Sequence, residues 1–179
     1  MKFQTLWKGK YASIVSPDIA PYEAMHEPDA IVVIPIVREG KTVKVYVRQE
    51  YCPPYFIKDK TDRMYYTVIS GKREPNEPAK AAMERELKEE AGVKLVQYKV
   101  LFEKDNLPLC KSTDCRIALY VIEIEKFDKV PVTNDGTAYE EKSRTLLMDL
   151  DELSVIVEVH DDVDYLLTSS YYMLKGLLA

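Results

Sequence analysis

Between Gly71 and Val93 the chain reads GKREPNEPAKAAMERELKEEAGV, a segment whose fold is strongly constrained. An apolar run, Tyr65–Ile69, precedes it, Gly71 marks a tight turn, and a helical pattern follows. Asn76 suits an N-cap, Pro78 a first turn and Gly92 a left-handed C-cap. The unit is strand, loop, helix, stop. Met83, Leu87 and Ala91 form one stripe that can pack on a sheet. Glu86 and Glu90 lie one turn apart with Glu89 beside them, because positions three and four apart share a helix face. Like charges at that spacing destabilise a bare helix. A use that offsets the repulsion is to grip divalent cations such as Mg2+ or Mn2+, which prefer carboxylate oxygen. Ala79 and Ala82, placed on the carboxylate side, would leave room for a hydrated ion and its ligand.

The same segment resembles the Nudix box, G-x5-E-x7-R-E-U-x-E-E-x-G-U, with U a bulky aliphatic. Gly71, Glu77, Arg85, Glu86, Leu87, Glu89, Glu90, Gly92 and Val93 fill its specified positions. With single residue types used at about 7% each, chance agreement at the single-type positions is on the order of 10^-8 per start point. The resemblance implies an α/β/α sandwich around a mixed sheet, and a hydrolase that splits a nucleoside diphosphate from a linked group. It implies Glu86 and Glu90 as the main metal ligands, Glu89 on a further ion, and the Ser70 carbonyl as another ligand. Glu77 would give outer support, and Arg85 would pair with and orient a box carboxylate. The general base is implied in the loop after the box, at Glu140 or Glu141, or alternatively at Glu89.

Composition limits the partners. The chain of 179 residues is long enough for one domain with a sizeable core, residues 1–28 forming an N-terminal extension. A net charge of −5 argues against a broad surface for duplex nucleic acid, so anionic substrates need metal and local Arg or Lys. Three cysteines without metal spacing suit a reducing cytoplasm and roles as core or surface thiols. No apolar run approaches a membrane span, and no export signal opens the chain.

Along the chain, Phe3–Val15 reads as one or two strands. Ile31–Val37 is a buried strand in which Pro35 suggests a bulge or an edge. After a turn at Glu39-Gly40, Thr42–Gln49 alternates as a half-buried strand. Tyr51–Arg63 reads as a solvated loop. Lys94–Glu103 and Arg116–Glu125 are strands joined by a polar loop, Lys104–Asp114. Asn134–Lys142 is a loop, Ser143–Met148 a strand, Leu150–Leu153 a helix start, and Val163–Leu178 a C-terminal helix.

Around the box, Val47-Arg48-Gln49-Glu50-Tyr51 is similar to a strand-end segment of ADP-ribose pyrophosphatases, whose Arg lies near the diphosphate. Pro108, fifteen residues after Val93, matches a proline spacing associated with ADP-ribose hydrolysis. An N-terminal strand region with Phe3, Trp7 and Tyr11 also resembles that group, in which it often crosses to a partner subunit and helps to stack the adenine. The resemblance thus implies a homodimer that cleaves ADP-ribose or a related nucleotide sugar to AMP and a sugar phosphate. Thr67-Val68-Ile69-Ser70-Gly71 departs from the Glu-x-Pro-Ala-Gly of the group. Dinucleoside polyphosphates, NADH or an RNA 5′ end stay open as substrates, as does a sensing module that binds ADP-ribose without turnover.

Overall fold

In the computed structural model, the residues described are 3–10, 12–17, 22–51, 57–61, 63–133 and 142–179. Strands β4 (Ala30–Glu39) and β5 (Thr42–Tyr51) form a hairpin that opens like a V. They pair only near the turn, Ile36 with Val45 through Glu39 with Thr42. Beyond that, β6 (Met64–Thr67) pairs with β5 and β7 (Ile69–Lys72) pairs with β4, so the segment before the glutamate helix fills the wedge. On its other edge β4 runs parallel to β9 (Arg116–Lys129). Strand β8 (Val93–Pro108) flanks β9, and β10 (Arg144–Asp149) flanks β5, giving a mixed seven-stranded sheet.

Helix α1 (Ala79–Ala91) covers one face, where Met83 and Leu87 pack against Ile31, Val33, Ile69 and Ile122. Helices α2 (Leu150–Val159) and α3 (Tyr165–Leu178) cover the other, where Leu153, Leu167 and Leu174 meet Val32, Ile34, Val45 and Val47. The continuous apolar run of β4 follows, since both of its faces are buried. This is the expected α/β/α sandwich. A separate three-stranded sheet, β1 (Phe3–Lys8), β2 (Ser13–Pro17) and β3 (Ala24–His26), forms the N-terminal strand extension. It is tied to the rest by backbone bonds of Met25 with Ser112 and Asp114.

Several expectations change. Pro35 forms neither bulge nor edge: it lies between Val33, the last residue paired with β7, and Ile36, the first paired with β5, where its missing N–H costs no bond on that side. The hairpin turn is Gly40-Lys41, one residue later than expected. The polar stretch Lys104–Pro108 belongs to β8, held by pairing with β9 and shaped by an irregularity between Lys104 and Leu107, where Asn106 takes a φ of 63°. Asn76 is not the N-cap. It sits at φ 63° in a turn closed by the Glu77 N–H on the Glu74 carbonyl, and extended Pro78 caps the helix instead. Ala79 and Ala82 are buried in the α1–sheet core, so they serve close packing rather than clearance for an ion. Gly92 is the expected left-handed C-cap, φ 64°.

Candidate active site

The site grows from the wedge. Because β7 fills the opening between β4 and β5, it runs beneath α1 and brings Ser70 and Gly71 against the glutamates. Gly71 lies within β7, not at a tight turn, and its φ is not positive. The reason for glycine is space: a Cβ here would overlap the Glu86 carboxylate, which rests against the Gly71 backbone. Glu86 is 7% exposed. Burial, opposed by Arg85, pushes its carboxyl up from the ordinary 4.5 to about 7.

Arg85 is the hub of the outer carboxylates. Its Nε and Nη2 donate to the two oxygens of Glu77 at 2.9 and 3.0 Å, a two-point fork. Its Nη1 reaches Glu86 Oε1 at 2.6 Å and Glu89 Oε2 at 3.0 Å, and Nη2 also donates to the Lys72 carbonyl at 2.8 Å. The fork holds the Glu77 carboxyl below its usual range. Glu77 is thus joined through Arg85 to the box carboxylates, two of which the guanidinium contacts directly.

Glu90 is held at both oxygens. Oε1 lies 3.3 Å from Arg48 Nε, and Oε2 accepts from the Ser70 N–H at 3.4 Å. Burial, opposed by Arg48, raises its carboxyl to about 8. The half-buried strand expected at β5 is buried on both faces around Tyr46, Val47 and Arg48, because α1 covers the face opposite α2 and α3. Arg48, expected beside a diphosphate, is 1% exposed, and its Nε also donates to Glu50 Oε2 at 3.3 Å. Glu50 in turn accepts from the Tyr65 hydroxyl at 2.9 Å.

Of the other expected site residues, Trp7 lies on β1, 58% exposed, with its ring over Gly9. Pro108 is exposed at the end of β8, paired with Arg116. Glu140 and Glu141 lie outside the described residues, as do Tyr11 and Cys52. Cys110 is exposed and Cys115 buried, both unbridged thiols. The contribution of Glu50 escaped the sequence, as did that of Thr145 on β10, whose Oγ1 donates to the Glu90 main-chain carbonyl at 2.7 Å. The available signal was the alternation of Arg48 and Glu50 with Tyr46 along one face of β5.

The donor chemistry fits a hard divalent cation. Buried Glu86 and partly buried Glu90 both have raised affinity for protons, and a glycine makes room for the Glu86 carboxylate. Among the described residues the glutamates do not close into a cage of three side chains, the Arg85 guanidinium being set between Glu86 and Glu89. One consequence is measurable without substrate. A carboxyl whose folded pKa is raised contributes stability that is fully present below about pH 4.5 and lost as pH rises through about 7 and 8. Melting of the metal-free protein is expected to be lower at pH 8 than at pH 6. Mg2+ should recover more stability at pH 8, where it need not displace protons. Equal melting curves at both pH values, with and without Mg2+, would contradict this.

A sheet clasped between helices, with a glycine strand seating a helical glutamate cluster, defines the Nudix fold and its box. The chain belongs to the Nudix family: the NUDIX domain profile matches residues 26–167. With every box position filled, it is a Nudix hydrolase. Among solved structures, one described as an ADP compounds hydrolase is similar over 99% of this chain and 92% of that chain, with TM-score 0.69 and 16% identity, a likeness of fold. No curated protein gives a significant sequence match. No helix among the described residues is long and apolar enough to cross a membrane.

Proposed function

We propose that the protein is a Mg2+- or Mn2+-dependent pyrophosphohydrolase that cleaves ADP-ribose or a related nucleotide sugar to AMP and a sugar phosphate. The observation that carries this reading is the gathering of Glu86, Glu89 and Glu90 over Ser70 and Gly71, with Arg85 bracing two of them. Glu86, Glu90 and the Ser70 carbonyl would hold the cation, with Glu89 on a further ion. A bound divalent ion would neutralise phosphate oxygens and lower the pKa of water. The protein's own part is positional. Arg85 and Glu77 keep the outer carboxylates apart and oriented, and the strand wedge keeps Ser70 and Gly71 beneath them. Water attacks one phosphorus of the anhydride, the bond to the bridging oxygen breaks, and a carboxylate takes the water proton. Glu140, Glu141 and Glu89 are the candidates for that base.

The substrate class rests on the similarity to ADP-ribose pyrophosphatases and on the fold shared with the ADP compounds hydrolase. The exposed N-terminal sheet supports the same class. Phe3, Leu6 and Trp7 are apolar and 58%, 47% and 58% exposed along β1, which makes this strand suited to a second copy of the chain. In such a homodimer Trp7 would stack the base. Pro108 would shape the substrate side. The partner is then a small nucleotide rather than a duplex or a membrane, and the compartment the cytoplasm.

The test is incubation of purified protein with Mg2+ and a panel of nucleotide sugars, dinucleoside polyphosphates, NADH and 5′-capped RNA, read by product mass. AMP with ribose phosphate from ADP-ribose is the expected result. Cleavage of no member by folded protein would refute the reading, and tight binding of ADP-ribose without turnover would replace it with a sensing role.

A further inference from the structure

We propose that Arg48 is a positioning residue that fixes the last box carboxylate, gripping Glu90 by its side chain and by its backbone at once. This rests on the reading of the glutamates as metal ligands. The geometry is unusual for an arginine assigned to an anionic substrate. Its side chain is only 2% exposed, sealed beneath the end of α1. Nε faces two carboxylates, Glu90 Oε1 and Glu50 Oε2, each at 3.3 Å. Nη1 turns the other way and donates to the Glu90 main-chain carbonyl at 3.3 Å. That carbonyl belongs to the last turn of α1, where helical partners have run out. Thr145 Oγ1, from β10, donates to the same oxygen at 2.7 Å.

Four restraints therefore converge on one residue. Arg48 and Thr145 hold the backbone, while Arg48 and the Ser70 N–H take one side-chain oxygen each. A planar guanidinium can serve both ends because its N–H groups form a rigid fork, which an ammonium cannot reproduce. Glu50, braced by Tyr65, keeps the arginine from swinging wholly toward Glu90, so the cation is shared. The consequence is a single presentation of Glu90 toward the cleft. Arg48 acts through Glu90 and does not touch substrate.

The test is a double-substitution cycle on Mn2+ binding, measured by electron paramagnetic resonance on the full chain without substrate. Arg48→Met is expected to weaken Mn2+ about tenfold or more, as loss of a group supporting a ligand does. Arg48→Lys should recover only part. In a Glu90→Gln background, Arg48→Met should add nothing further, because the group it positions is gone. With nucleotide, kcat should fall while KM stays within about twofold. Additive losses across the cycle, or a raised KM with unchanged Mn2+ affinity, would overturn the role and make Arg48 a substrate contact. If Arg48→Met does not fold, the same cycle with Arg48→Lys decides, and unchanged affinity there overturns the role. Failure of the unsubstituted protein to bind Mn2+ would sink the proposed function together with this role, whereas binding with additive losses sinks this role alone.

Discussion

Gly71→Ala is expected to abolish activity while leaving the fold intact. The added methyl would occupy the space taken by the Glu86 carboxylate, and that carboxylate is the far end of a flexible side chain. Backbone clash would unfold a strand; here the cheaper response is for Glu86 to swing away. Position 71 lies within a strand, so alanine itself is tolerated there and on entropic grounds could add about 0.5–1 kcal/mol of stability. A displaced Glu86 also leaves Arg85 Nη1 with Glu89 as its remaining partner among the box carboxylates. Loss of one proposed cation ligand should lower turnover by about a hundredfold or more, on the order of 3 kcal/mol. Activity assays beside thermal melts would check it. Retained activity would mean that the carboxylate has another seat, and lost folding would mean that the strand, not the site, needs glycine.

Glu90→Gln should cost more turnover, about a thousandfold, with little change in stability. The carboxyl is buried and raised to about 8, so at pH 7 the free protein already favours its neutral form. A neutral amide of the same shape still accepts from Ser70, and Arg48 keeps Glu50 and the main-chain carbonyl of residue 90. Melting should shift by only about 3 °C or less at pH 7. At pH 8.5, where the wild-type carboxylate is ionised without a cation, the substituted protein should be the more stable of the two. Calorimetry at both pH values, with turnover measured in parallel, tests the pair of claims. A large stability loss would show that Glu90 is mainly a structural partner of Arg48.

The helix and its chemistry were legible early because they are local. Glu86, Glu89 and Glu90 share a face through helical spacing alone, and Gly92 ends the helix where a left-handed residue is needed. The buried run of β4 and the alternation of β5 likewise announced strands. What failed to show was the surroundings. Pro35 looked like a defect until the split hairpin gave it a place without a bond to make. Lys104–Pro108 looked like a loop because an edge strand can be polar when its neighbour supplies the pairing. Arg48 was expected beside a diphosphate, and its burial did not show because alternation names a strand face and not what covers it.

By itself, then, the sequence determined the carboxylate cluster, its spacing, its left-handed C-cap and the box that places the chain in its family, all set by contacts within a few turns of helix. Only the tertiary structure decided why residue 71 must lack a side chain and how Glu90 is held. Those answers depend on β7 entering the gap between diverging strands, and on bonds that join residue 90 to residues 48, 70 and 145. Such contacts arise from the packing of a helix over a sheet seam, which no local period encodes.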